Sequence, residues 1–156
     1  MTYKTEFPDF EPPAIPVNWI DQSWHNDVCP SWSVGAFRVW IDYADPNQRE
    51  YPDVPRFRVT DDEVAEILFS SDAWGDILSF VALPAIEPDQ DEEGLTRLYT
   101  DFLAVTGLPA YSADDLIFET VPPAARQWLT RFIEAWEQMR EDEREWMKYA
   151  EQKAGL

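Results

Sequence analysis

From Val17 to about Val59 apolar and polar residues tend to alternate with the period of two that marks half-buried strands. In "AFRVWIDY", Phe37, Val39, Ile41 and Tyr43 face one way, and Arg38, Trp40 and Asp42 the other. "RFRVT" repeats the scheme, with Phe57 and Val59 inward and Arg56 and Arg58 outward. Gly35 in "SWSVGAF" predicts a tight turn from Trp32–Val34 into the next strand. "DYADPNQREYPDVPR", with its three prolines, predicts a loop between two antiparallel strands. "TDDEVAEILFSSD" supports two readings. Thr60 and Glu63 form a capping box ahead of a helical face of Val64, Ile67 and Leu68, or Val64–Phe69 returns as a hairpin strand with "TDDE" as its turn. The strand is preferred, because a sheet already ends at Thr60 and a short link suffices.

Beyond residue 70 the period changes to that of helices. "SDAWGDILSFVAL" puts Trp74, Ile77, Leu78 and Val81 on one stripe, with Ser71 as N-cap. "EEGLTRLYTDFLAVTG" does the same with Leu95, Leu98, Phe102 and Val105, and closes on Gly107. "SADDLIFE" predicts a short helix capped by Ser112. The last element runs from Pro122 to about Ala154, with a seam of Leu129, Phe132, Trp136, Met139, Glu143, Trp146 and Ala150 in steps of three and four. Such a helix would be roughly 50 Å long, against a domain diameter of about 40 Å. It must therefore break, or project with Trp146 partly uncovered. The first sixteen residues hold four prolines and no periodic pattern, and read as an extended arm lying on the domain. The whole predicts a single α+β domain over residues 1–156: arm 1–16, a small antiparallel sheet of four or five strands within 17–69, and a helical part over 71–156 packed on one face and ending in a long helix.

Charge changes the picture of what such a domain can do. The 156 residues carry 31 acids against 12 bases, a net of −19. Residues 61–120 hold 15 acids and one base, Arg97, for a net of −14. Direct nucleic-acid binding is disfavoured on this ground, since it needs cations facing phosphate, and so is an anionic membrane. No apolar run is long enough to span a bilayer and the N-terminus has no secretory apolar core, so a cytoplasmic protein is expected. A single cysteine forbids an internal disulfide and suits a reducing compartment. The acidic residues Asp61, Asp62, Glu63, Asp89, Asp91, Glu92, Glu93, Asp114 and Asp115 are the candidate contacts. Carboxylates held at fixed spacing resemble a row of phosphates and could enter a cationic groove of a basic, nucleic-acid-binding protein. The bland alternative is a solvated, solubilising surface.

Other constellations are weaker. "SWHNDVCPSW" brings the only histidine, His25, within four residues of the only cysteine, Cys29, with Asn26 or Asp27 as an orienting group. A cysteine hydrolase needs a thiolate with a base in reach. Yet Pro30 disfavours a helix N-terminus at Cys29, and no Gly-rich oxyanion loop accompanies it. A structural thiol in a sheet-edge loop is preferred, with Trp24, His25, Asn26 and Asp27 as a secondary contact patch. "DQDEEG", residues 89–94, imitates a calcium loop, but its ninth and twelfth positions are Arg97 and Thr100. An acidic helix start explains it without metal, and no cofactor is expected. The outward residues Arg38, Trp40, Arg56 and Arg58 could stack a nucleic-acid base, though cross-strand pairing with Asp42 and cation–π contact with Trp40 account for them.

"WHNDVCPSW", "VWIDYADPNQRE" and "PRFRV" together resemble uncharacterised short acidic bacterial proteins carried on plasmids and phages, over residues 17–60. The resemblance implies an accessory gene and, for a small acidic product, an inhibitor of host defence. It names no catalytic residues. Three readings therefore stand: an acidic, phosphate-mimicking inhibitor of a basic partner; a homo-oligomer or scaffold built on the C-terminal helix; and a Cys/His hydrolase.

Overall fold

The computed structural model of the protein describes residues 2–62, 66–109 and 121–155. The helix predicted at "SADDLIFE" lies outside them, as do Glu63, Asp114 and Asp115. The chain is α+β and separates into two compact units, Met1–Ala82 and Leu83–Leu156.

The first unit is built on a five-stranded meander in the order β1-β2-β3-β4-β5: β1 Ile20–Asp21, β2 Ser31–Val34, β3 Phe37–Ile41, β4 Phe57–Asp61 and β5 Ile67–Ser71, each antiparallel to its neighbour. Gly35 and Ala36 link β2 to β3. Only the first of them has a positive φ, 56°, the arrangement of a type II′ hairpin whose twist suits the flanking strands. In the centre Val39 faces Val59, both with 0% exposure, and Trp32 and Phe69 continue the row across the sheet. The alternation in β3 and β4 falls as the residue pattern predicts, with Phe37, Val39, Ile41, Phe57 and Val59 all buried. Residues after Asp62 do return as a strand, described from Ile67, with Val64 outside the described residues, and the pairing with β4 shifts register between Val59 and Thr60.

Two elements cover the inner face. Helix α2, Trp74–Val81, lays Phe80 against Phe69 (5.0 Å, stacked) and Phe37 (5.8 Å), while Trp74 meets Phe57 and Trp19. Its buried residues are Ile77 and Phe80, so the stripe is rotated from the expected one and Leu78 is left exposed. Ser71 is not the N-cap, since it closes β5. Its hydroxyl instead accepts the Ala73 amide (3.0 Å) and donates to Asp76 (2.9 Å), bracing the entry to the helix from two residues further back. The N-terminal arm is not wholly extended: α1, Tyr3–Glu6, makes one helical turn. Tyr3 then packs on Trp32 and Phe10, and Phe10 on Tyr43, with Phe7 and Phe10 buried.

The second unit pairs α3, Glu92–Thr106, with α4, Pro123–Lys153. Asp91 caps α3 by accepting the Gly94 amide at 2.8 Å, and Gly107 ends it in the left-handed conformation at φ 69°. A ladder of stacked rings joins the two helices: Phe102 on Trp128 (4.1 Å), Trp128 on Phe132 (5.1 Å) and Tyr99 on Phe132 (5.4 Å). The Trp128 indole N–H donates to the Pro84 carbonyl at 2.7 Å, so burial leaves no polar atom of this side chain unpaired. Helix α4 does not break. Its 31 residues span about 46 Å. Met139 is the last residue buried on it, and Trp146 is 68% exposed.

The rotation of α2 gives a direct test of the core. Phe80→Ala should cost about 3–5 kcal/mol in urea unfolding followed by circular dichroism, and Leu78→Ala less than about 1.5. Equal losses would mean that the two residues are equally enclosed.

Candidate functional site

Strand alternation sends Arg38, Trp40 and Arg58 to the outer sheet face, and the segment 22–30 between β1 and β2 supplies partners for them there. Arg38 lies over the Trp40 ring at 4.6 Å, its Nε donates to the Ser31 hydroxyl (3.0 Å), and its Nη2 reaches the Gln22 carbonyl (3.3 Å) and Asp27 (3.9 Å). The Trp40 indole N–H donates to Thr60 Oγ1 at 3.0 Å. Arg58 Nη2 donates to Cys29 Sγ at 3.7 Å, while its buried Nε has no hydrogen-bond partner among the described residues. Ser23, Cys29 and Pro30 are buried in this cover.

His25 and Cys29 have different neighbours. His25 is exposed and its Nδ1 lies 3.3 Å from Glu6 Oε2 of the N-terminal arm, with Trp24 beside its ring. Cys29 is fully buried. Burial, above all, and then the Asp42 carboxylate push its thiol up to about 12, against the opposing pull of Arg58. A thiol held protonated at neutral pH is not prepared as a nucleophile. Of the contact patch, Trp24, His25 and Asn26 are exposed on a turn closed by the Asp27 amide on the Trp24 carbonyl (2.9 Å). Asp27 itself is turned toward Arg38.

The acidic candidates fall on both units. Asp61 ends β4, half-buried, with its amide on the Glu66 carbonyl, and Asp62 follows it, exposed. Asp89 is exposed in the loop before α3, in the left-handed region at φ 61°, which aspartate tolerates better than most residues. The other three have helix duties: Asp91 is the cap, Glu93 pairs with Arg97 (3.4 Å), and Glu92 pairs with Arg140 of α4 (3.4 Å). Arg140 also reaches Glu143 (3.4 Å). Placed at the start of α3, these carboxylates favour the helix dipole.

Sorting the charges by unit alters the sequence view of a single acidic middle. Residues 1–82 hold 15 acids and 5 bases, net −10; residues 83–156 hold 16 acids and 7 bases, net −9. The bases of the first unit are mostly turned to internal work. Arg49, which the sequence reading did not single out, donates to three carbonyls of its own loop: Tyr43 (2.6 Å), Ala44 (3.1 Å) and Val54 (3.3 Å). Arg56 donates to the carbonyls of Asp42 (3.0 Å) and Glu11 (3.3 Å) and lies over Phe57 (4.9 Å). Burial, and then the neighbouring Arg49, lower its pKa. The signal for Arg49 was available: a long proline-rich loop has few amides to pair its carbonyls, and one guanidinium can serve several. Among the described residues no three His, Cys, Asp or Glu side chains converge as a metal site would. No helix among them is long and apolar enough to cross a membrane.

Comparison with family models, curated proteins and solved structures finds no match to this chain.

The buried thiol makes a pH prediction. Its folded pKa lies above the unfolded value, so its contribution is complete below about pH 8.5 and is lost as pH rises toward 12, because the unfolded thiol releases its proton first. By pH 10 the wild type should lose about 2 kcal/mol that a Cys29→Ala variant does not lose. Urea titrations of both proteins at pH 7 and 10 measure the difference; parallel losses would place the thiol in a solvated setting.

Proposed function

We propose that the protein is a non-enzymatic interaction protein that presents carboxylates to a basic, nucleic-acid-binding partner, and that it acts in the cytoplasm as an inhibitor of the kind mobile elements carry. One observation supports this reading most. The four arginines of the first unit are all half-buried and engaged with carbonyls, rings or the Cys29 thiol. Asp9, Glu11, Asp45, Glu50, Asp53 and Asp62 of the same unit remain exposed. With these arginines half-buried, the exposed charges of the unit are mostly carboxylates. Such a surface repels phosphate and attracts a cationic groove. In the second unit Asp89, Asp91, Glu92 and Glu93 add a cluster at the start of α3. Glu63, Asp114 and Asp115 are proposed contacts on sequence grounds alone. The protonated, enclosed Cys29 supports the non-enzymatic part of the reading.

Affinity capture from a bacterial lysate should retain a basic protein at about 0.05 M salt and release it by about 0.3 M, as screening shortens the reach of the carboxylates. Added duplex DNA should displace it. A variant with Glu50, Asp53, Asp62 and Asp89 all changed to lysine should retain at least tenfold less. Capture that ignores salt, DNA and these reversals would sink the proposal.

A further inference from the structure

The outer third of α4 carries a stripe that is exposed among the described residues. Up to Met139 the helix buries its seam, and beyond it Glu143, Trp146, Met147 and Tyr149 are exposed and Ala150 is half-exposed. Glu143, Trp146, Ala150 and Lys153 continue the same three-and-four spacing, so they lie in one line along about three turns. That spacing is the one by which two helices pack side by side at a shallow angle.

We infer that a second copy of this chain docks on this stripe, helix antiparallel to helix, with Glu143 of each copy opposite Lys153 of the other and Trp146 opposite Ala150. Charge selects this arrangement. A parallel pair would place Glu143 against Glu143 and Lys153 against Lys153, repulsive at both ends. Reversing one helix about a two-fold axis near residue 148 turns both layers into opposite-charge pairs. It also sets the largest side chain of the stripe against the smallest, twice, which is how facing helices interdigitate. Sliding the pair by one heptad the other way would set Met139 against Ala150, and Met139 is already buried in its own chain. The register through Glu143 and Lys153 uses no buried residue, and Lys153, which lies over the Tyr149 ring at 5.6 Å, is exposed. The Arg140–Glu143 contact does not prevent it: both side chains are about half exposed, and a carboxylate has room for a second cation.

The interface has four layers and lies below the roughly 1,200 Å² of a standard stable complex, so a concentration-dependent equilibrium is expected rather than a permanent dimer. A second copy is a different occupant from the basic partner proposed above, and neither requires the other.

Sedimentation equilibrium of the full chain in about 0.15 M salt, from about 10 μM to 1 mM, tests the inference. The wild type should move from monomer toward dimer across this range. Trp146→Asp should remain monomeric, and because Trp146 is exposed, its circular dichroism should match the wild type. Glu143→Lys and Lys153→Glu should each weaken dimerisation at least tenfold, and the double variant carrying both should recover most of it. Recovery identifies the antiparallel register, because the swap restores opposite charges only across these two layers. A wild type that stays monomeric to 1 mM, a dimer indifferent to Trp146→Asp, or a double variant no better than the singles would overturn it.

Discussion

The first unit depends on one register: Val39 opposite Val59, both without exposure, at the centre of the meander. A strand has only two faces, so this pairing decides the orientation of every neighbour. It sends Phe37, Ile41 and Phe57 toward α2 and the arm, and it commits Arg38, Trp40 and Arg58 to the other side. A slip of one residue would bury the arginines against Phe80. The same pairing explains why the Gln22–Pro30 segment lies where it does. Guanidinium groups held beside a sheet need acceptors, and this segment supplies the Gln22 carbonyl, the Asp27 carboxylate and the Cys29 sulfur. Cys29 is enclosed because it is part of that cover.

The second unit relies on a different device. Phe102 stacks on Trp128 and Trp128 on Phe132 with interplanar angles of 7° and 10°, and the buried indole is satisfied by a carbonyl. Large flat rings bury much area while losing little rotamer freedom, and Leu95 and Leu129 are buried with them in this unit. The ladder ends near Trp136, where Arg140 lies over the ring at 5.4 Å. Beyond Met139 no described residue of the helix is buried.

Much of the fold could be read from alternation. Strands β3 and β4, the turn at Gly35, the start of α3 at Glu92 and its end at Gly107, and the length of α4 all follow from local patterns with one strong solution. The misreadings occur where local patterns have several. Helix α2 has apolar residues at 74, 77, 78, 80 and 81, so a stripe can be drawn on either side, and only contact with Phe37 and Phe69 selects Phe80 over Leu78. Along α4, the seam through Leu129 omits Trp128 because a strict three-and-four spacing is narrower than the face a packed helix buries at its base. Serine favours helix caps, which points Ser71 to α2, yet it completes β5 and only braces the turn into the helix. For the site, composition located the negative charge but not the fate of the positive charge. The engagement of Arg38, Arg49, Arg56 and Arg58 depends on carbonyls brought near by the fold, and no spacing along the chain encodes that.

Arg49 has a consequence of its own. A loop of this length would ordinarily sample many shapes, and any contact it made would first have to freeze them. Three carbonyls tied to one guanidinium, with the turn Pro46–Gln48 capped by Asp45, remove much of that freedom in advance. Asp45, Glu50 and Asp53 are therefore carried on a frame whose ordering cost was met when the chain folded. An encounter at this end of the central strands loses correspondingly little conformational entropy, so even modest electrostatic attraction there is retained as binding free energy.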